Sequence, residues 1–482
     1  MASVAVIGAG FAGLGMGYYL RRAGFEDFLV FDKAGEPGGV WRENRYPGAA
    51  CDIPSHLYSF SFEPHFPWSR RFGPQSEILD YLRHTARRHG LEPHLRFGRE
   101  VTDARFDASR RAWTLRFADG SSHEAAYLVT AVGQLHRPRI PALPGRERFA
   151  GRAFHSAQWD HDYDFRDRRV AVIGTGASAV QFAPAIARHA RRMHVFQRSP
   201  GWVLFKFDRA YRSWERRLLE RIPLLHDLDR LRIFWLHEWY NSGILGNRVT
   251  AAMLRFACRM LLRRQVRDPG LRRRLTPDFP FGCKRTLLSN EWLPFLASPR
   301  TELVTDSILG IEPAGVRTAD GRLREVDAIV YGTGFESTSF LAPMRIEGAD
   351  GRELHEAWSQ GAEAYLGMAV AGFPNFFMLY GPNTNLGAGS IIYMLERQQR
   401  YIVRCLEKLR DARLARIEVR AEAQRRFNEF LRERGRKTAF EAGCRSWYKT
   451  ADGRNTNNWV GYCFQYGRAV SRPKFEDYRL DG

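Results

Sequence analysis

Two glycine-rich turns, and the residues that end the strands beyond them, are the first groups in this chain whose types and spacing could do chemistry. The pentapeptide VAVIG occurs at Val4–Gly8 and again at Val170–Gly174. Gly8, Gly10 and Gly13 form a Gly-x-Gly-x-x-Gly turn; Gly174, Gly176 and Ala179 repeat its spacing with alanine in third place. The first glycine permits a sharp bend, the second lets backbone N–H groups approach a pyrophosphate, and the third allows the next helix to pack closely on the strand. The helix N-terminus then faces the phosphates with its partial positive charge. Asp32 stands as far beyond Gly8 as Arg198 stands beyond Gly174, so equivalent positions carry opposite charges. A carboxylate there accepts hydrogen bonds from ribose hydroxyls and repels a 2′-phosphate, whereas a guanidinium grips that phosphate. The first turn is expected to hold FAD or NAD and the second NADP(H), an arrangement that passes electrons from a nicotinamide to a flavin.

The elements that must position these groups read as strand, helix and strand in each copy. The first runs from Val4–Ile7 through an apolar helix to Ala23 and a strand Phe28–Phe31; the second from Arg169–Ile173 through a helix to about Ala190 and a strand His194–Gln197. The fold class expected is α/β, with two Rossmann-like dinucleotide-binding domains. Because Ser3–Ile7 already reads as a buried strand, no leader peptide is expected before it. The 482 residues, 44% of them hydrophobic, can build more than one core. No uncharged apolar run approaches the roughly 18–20 residues that cross a bilayer. The net charge of +21 is spread along the chain and mostly arginine, without a recognisable DNA- or RNA-binding motif, so no nucleic-acid partner is expected. The six cysteines (Cys51, Cys258, Cys283, Cys405, Cys444, Cys463) are widely spaced, without a C-x-x-C pair or metal-ligand spacing, and read as reduced thiols of a cytoplasmic protein that holds no metal. Without a cysteine pair a disulfide reductase is excluded, which leaves a simple reductase or oxidase, or a monooxygenase.

Beyond the turns, the chain resembles the type I Baeyer-Villiger monooxygenases, relatives of the flavin-containing monooxygenases, over nearly its whole length. The segment FAGRAFHSAQW carries Phe149, Gly151, His155 and Trp159 in the family's F-x-G-x-x-x-H-x-x-x-W pattern, followed by Asp160. GGVWRENRYPGAACD matches a second fingerprint through Gly38, Gly39, Trp41, Tyr46, Pro47, Gly48 and Asp52. DAIVYGTGF (Asp327–Phe335) and GFPNFFMLYGPNTNLG (Gly372–Gly387) are similar to its domain-crossing and flavin-closing segments. Departures are Asp32 where glutamate is commoner and TAVGQL (Thr130–Leu135) where many members read A-T/S-G-x-L.

The resemblance implies an FAD-dependent, NADPH-using enzyme that inserts one atom of O2 beside a ketone carbonyl, giving an ester or lactone through a C4a-peroxyflavin. It makes Arg285 in FGCKR the catalytic cation, held and modulated by Asp52, and sends Lys284 with Arg198 and Ser199 to the NADP 2′-phosphate. A unit charge at about 4 Å and an effective dielectric near 20 contributes roughly 4 kcal/mol, enough to keep a peroxide anionic. Lys33, Gly39, Val40, Trp41, Tyr58 and Val101 complete the candidate first site, and Thr175 and Ser178 the second. Trp41 and Tyr58 read equally as ring-packing or as core; His155 reads as an interdomain linker and Trp159 as packing. The expected domains are 1–143 and 372–482 for the flavin and 144–371 for NADP, the latter with a helical insert at 205–280. In that insert Arg255, Arg259, Arg263 and Arg267 read as one basic face opposite Leu254, Ala257, Leu261 and Leu262, either solvated or touching a membrane surface. The alternatives are an N- or S-oxygenating enzyme of the same fold and, from another class, a basic surface-associated redox or binding module.

Overall fold

In the computed structural model, which describes residues 2–444 and 446–482, each VAVIG repeat is an interior strand of its own sheet, the first sheet mixed and the second parallel. The first unit begins β1 (Ala2–Ile7), α1 (Phe11–Arg22), β2 (Phe28–Phe31), α2 (Val40–Glu43), α3 (Gln75–Arg88) and β3 (Leu95–Arg96). An antiparallel meander of β4 (Val101–Asp107), β5 (Ala112–Phe117) and β6 (Ser122–Thr130) follows. The second unit is built from β7 (Arg152–His155), β8 (Arg169–Ile173), α4 (Ala179–Ala187) and β9 (Arg192–Phe196). Then come β10 (Val203–Leu204), the insert helices α5 (Ser213–Arg221), α6 (Pro223–Ile244), α7 (Arg248–Gln265) and α8 (Pro269–Arg274), and β11 (Leu287–Leu288), which pairs with β10. The chain closes the second unit with β12 (Thr301–Val304), the three-stranded β13 (Ile308–Glu312), β14 (Gly315–Thr318) and β15 (Leu323–Glu325), and β16 (Ala328–Tyr331). It re-enters the first with β17 (Arg345–Glu347) and β18 (Phe376–Met378).

The first sheet runs β17-β4-β5-β6-β1-β2-β3, with β18 also on β6; the second runs β12-β9-β8-β16-β7. Both repeats are flanked on each side by parallel neighbours, β1 by β2 and β6, β8 by β9 and β16. A parallel strand covered on both faces needs apolar side chains at every position. Val4 and Val6 enter one core while Ala5 and Ile7 enter another, and Val170 and Val172 separate from Ala171 and Ile173 in the same way. The repeated VAVI is this requirement met twice.

Three boundaries differ from the reading of the sequence. Helix α4 stops at Ala187, and the strand after it is Arg192–Phe196. The return to the first sheet precedes residue 372: Arg345–Glu347 pairs with Asp103–Arg105 of β4, and Phe340, Met344, Leu354 and Trp358 pack in the first unit's core. A three-residue edge strand carries too short an alternation to be read beforehand. Helix α7 ends at Gln265, so Arg267 lies beyond it, and the side it buries is Leu254, Cys258 and Leu262, with Ala257 exposed.

The two turns share one constraint and differ in another. Gly8 (φ +109°) and Gly174 (φ +107°) both lie where L side chains are strained, and a Cβ there would stand 2.6 Å from the Ala131 carbonyl oxygen and 2.4 Å from that of Gly332. Gly13 is the third residue of α1, and a Cβ on it would stand 1.7 Å from the Gly8 oxygen. In the second copy the helix begins only at Ala179 itself, behind Ser178, so the third position has room for a methyl group. Gly13→Ala is therefore expected to destabilise the protein by about 2–3 kcal/mol, while Ala179→Gly changes it by about 1 kcal/mol or less. Thermal unfolding of the two variants checks this, and equal melting temperatures would contradict the contact.

Candidate active site

The first turn is closed by the residues the sequence placed near it. Asp32, at the end of β2, accepts the Ala9 N–H at 2.7 Å through Oδ2 and the Ala34 N–H at 2.9 Å through Oδ1, with Arg42 at 3.6 Å. The GGVW segment lies against the turn: Gly38 donates its N–H to the Ala9 carbonyl at 3.0 Å, and a Cβ on Gly39 would approach the Gly10 Cα at 3.2 Å. Val40 and Trp41 open α2, and the Trp41 Nε1–H donates to the Tyr58 hydroxyl at 3.1 Å. Phe11, at the start of α1, meets the Tyr58 ring edge-on at 5.2 Å, so the wall beside the turn is aromatic. Helix α1 has no side-chain N-cap and no acid in its first turn, which leaves its N-terminal N–H groups free for phosphate oxygens. Lys33 is exposed beside Asp32, and the Val101 side chain is buried in the core.

The second turn gathers cations. The Lys284 Nζ donates to Ser199 Oγ at 2.6 Å, and the Thr175 hydroxyl donates to the Ser199 carbonyl at 3.4 Å. Burial first, and then the positive charge of Arg198, lowers the Lys284 pKa. A lysine on a hydroxyl, with the charge of the exposed Arg198 near it at the end of β9, is chemistry suited to an anion. Helix α4, behind Gly176 and Ser178, also lacks a side-chain cap and an acidic first turn.

Between the turns lies an ion pair. The Arg285 Nη2 reaches Asp52 Oδ2 at 3.3 Å, joining the loop before β11 to the loop that ends the first unit's fingerprint. Burial alone would lower the guanidinium's pKa, but the Asp52 carboxylate, seconded by Tyr448 and Tyr380, outweighs it, and the pKa is raised. Arg285 stays charged at every working pH. Three devices hold it. Phe281 is buried against Trp202 and Tyr240. Leu287 and Leu288 pair with β10. Cys283 forms a disulfide with Cys444. That bond corrects the expectation of six reduced thiols; Cys51, Cys258, Cys405 and Cys463 are free and buried. Partners 161 positions apart leave no spacing signal.

On the other side, Asp52 is carried by a clasp that sequence reasoning missed. Gln181, on α4, accepts the Tyr46 hydroxyl at 3.1 Å and donates to the Ala50 carbonyl at 3.0 Å. A Cβ on Gly48 would meet the Gln181 carbonyl oxygen at 2.9 Å, so the YPG segment lies flat on α4. Trp159 packs among Phe154, Phe165 and Phe182. His155, fully buried where β7 ends, accepts the Ala157 N–H at 3.1 Å through Nδ1 and meets the Phe335 ring, on the segment that leaves the second sheet.

Tyrosines surround the cation. Tyr58, which the sequence reading named, and Tyr240, Tyr380 and Tyr448, which its site did not include, all feel the Arg285 charge, and burial raises each of their pKa values, that of Tyr448 to about 12. The Tyr448 hydroxyl has no hydrogen-bond partner among the described residues, an orphaned polar atom left for something bound there. Tyr380 lies within the flavin-closing segment, where a sequence signal existed; Tyr448 follows no pattern.

A family model described as flavin-binding monooxygenase-like matches residues 1–238. The chain is 42% identical over 474 residues to a Baeyer-Villiger monooxygenase of Pseudomonas aeruginosa, covering 97% of this chain and 89% of that one. Against a Baeyer-Villiger monooxygenase of Streptomyces coelicolor it is 42% identical over 480 residues, covering 99% and 92%. Among solved structures, an oxidized steroid monooxygenase bound to NADP aligns with a TM-score of 0.89 at 31% identity, covering 100% of this chain and 99% of that one. A closed cyclohexanone monooxygenase aligns at 0.87 and 27%, with the same coverage.

Thiol titration in denaturant checks the bond beside Arg285. Without reductant, four thiols are expected to react, and six after reduction; six at the outset would remove the link between Cys283 and Cys444.

Proposed function

This chain belongs to the Baeyer-Villiger monooxygenases, and on that premise we propose that it converts a ketone to an ester or lactone with Arg285 as its catalytic cation. The enzyme is a flavoprotein that uses FAD, NADPH and O2. The residues present fit both dinucleotides. Gly8, Gly10, Gly13, Gly39 and Asp32 would hold the FAD pyrophosphate and ribose; Gly174, Thr175, Gly176, Ser178 and Ala179 would hold that of NADP(H), with Arg198, Ser199 and Lys284 on its 2′-phosphate. FAD held there would supply the chemistry of accepting a hydride from NADPH and activating O2, one atom of which enters beside the carbonyl while the other leaves as water.

The chain's own part is electrostatic. Arg285 presents a permanent positive charge where the ketone oxygen and the attacking oxygen gather negative charge, and such preorganised charge in a water-poor site is among the larger catalytic terms. Asp52 acts as a positioning residue, holding the guanidinium in place and keeping it charged. Trp41, Tyr58 and Phe11 exclude water beside the first turn. The observation that supports this reading is the 3.3 Å contact between Arg285 and Asp52, which ties a cation of the loop before β11 to the fingerprint loop of the first unit.

Two measurements test the assignment. Arg285→Ala is expected to lower ester formation by about 10²–10³-fold while flavin reduction by NADPH stays within about threefold of wild type; ester formation within tenfold of wild type would reject Arg285. Lys284→Ala combined with Arg198→Ala should raise the KM for NADPH by about 10–100-fold and leave that for NADH unchanged, since only the former carries the 2′-phosphate. Equal losses with both coenzymes would reject that role.

A further inference from the structure

The insert helices leave a large apolar surface bare. On α6, Leu224, Leu228, Leu231, Trp235 and Trp239 follow one another at helical spacing, and each is at least 43% exposed. On α7, Val249, Met253, Phe256 and Met260 do the same, each at least 46% exposed. Helix α7 thus has two apolar faces. Leu254, Cys258 and Leu262 are buried, and the other stripe is largely exposed. A soluble helix needs one apolar face, and contiguous bare patches of this kind mark a docking surface. The two helices pack on each other where Gly243 comes so close that a Cβ on it would stand 3.1 Å from the Ala251 nitrogen.

Charge decides what docks. Beside its bare stripe α7 carries Arg248, Arg255, Arg259, Arg263 and Arg264 and no carboxylate, and α5 adds the exposed Arg216, Arg217 and Arg221. Two of the three carboxylates of α6 are turned to other uses: Asp229 meets His56 at 2.8 Å and Arg232 at 2.6 Å, and Glu238 accepts the Cys463 N–H at 3.1 Å. The exposed Asp227, 3.7 Å from His226, is the one acid beside the α6 stripe and is outnumbered by the arginines of α5 and α7. The Asp229–His56 and Glu238–Cys463 contacts, with Phe234 against Tyr393, fasten the inner side of α6 to the first unit, so its bare stripe points away from the body of the protein. A second copy on this face would bring the same arginines together across a two-fold axis, a like-charge contact.

We propose that α6 and α7 seat the enzyme on an anionic lipid surface. The bare stripes of Leu, Trp, Phe and Met enter the boundary between headgroups and acyl chains, and the flanking arginines reach the lipid phosphates. The contact is peripheral: no helix among the described residues is long and apolar enough to cross a membrane. The inference stands apart from the reaction and from the role of Arg285.

Co-sedimentation of the FAD-loaded, full-length protein with phosphatidylcholine vesicles, with and without about 50% phosphatidylglycerol, tests it. Binding to the anionic vesicles is expected to exceed binding to pure phosphatidylcholine by at least about tenfold and to fall steeply between about 50 and 500 mM salt. Phe256→Glu with Leu231→Glu should weaken it at least about tenfold, with NADPH oxidation unchanged. Arg259→Gln with Arg263→Gln should flatten the salt dependence and leave weak residual binding. Equal binding to both vesicles, or binding that both double variants retain, overturns the proposal. So does a concentration-dependent dimer that the glutamate variant disperses in the absence of any vesicle binding, which would make a second copy the occupant.

Discussion

The Arg285–Asp52 contact is the constraint on which the rest of the architecture bears. A partly buried cation and anion are each costly to withdraw from water, and the pair repays that cost only when both partners are held in register. Asp52 belongs to the first unit and Arg285 to the loop that leaves the insert, so their separation measures how the two units sit. The scaffold fixes both ends by different means. Gln181 grips the Tyr46–Ala50 stretch from α4, and Phe281 with the Cys283–Cys444 bond anchors FGCKR. A loss at either end would leave one charge unpaired in a poorly solvated place.

The two dinucleotide sites are built alike and differ in sign. Each has an apolar parallel strand, a glycine at positive φ pressed against a neighbouring carbonyl, and an uncapped helix N-terminus. Electrostatics distinguishes them: Asp32 takes its hydrogen bonds from Ala9 and Ala34 at the first, while Lys284 holds Ser199 within reach of the Arg198 charge at the second. Like charges that repel one another gain from an anion between them.

The insert adds a property the nucleotide folds lack. Its inner surfaces share apolar clusters with both units, while its outer surface is apolar and rimmed by arginine. The basic excess of the chain thereby acquires a local meaning in α5 and α7, although the arginines are also spread widely elsewhere. The expected basic stripe described only one side of α7; the other side, Val249 to Met260, became visible once the structure showed which residues are buried.

What the sequence determined by itself was local. The apolar VAVI strands and the glycine spacing are legible over a few dozen residues and specified two nucleotide folds, and the opposite charges of Asp32 and Arg198 raised the expectation of a different ligand at each. The fingerprints added Asp52, Lys284 and Arg285 by resemblance, without showing that they meet. Tertiary structure alone decided the Cys283–Cys444 bond, the Gln181 clasp, the place of Tyr448 near Arg285, the early return at β17 and the bare face of the insert. Each of these joins segments distant in the chain or depends on which side of a helix is covered, and no periodicity records a contact whose partners are set by the packing of whole units.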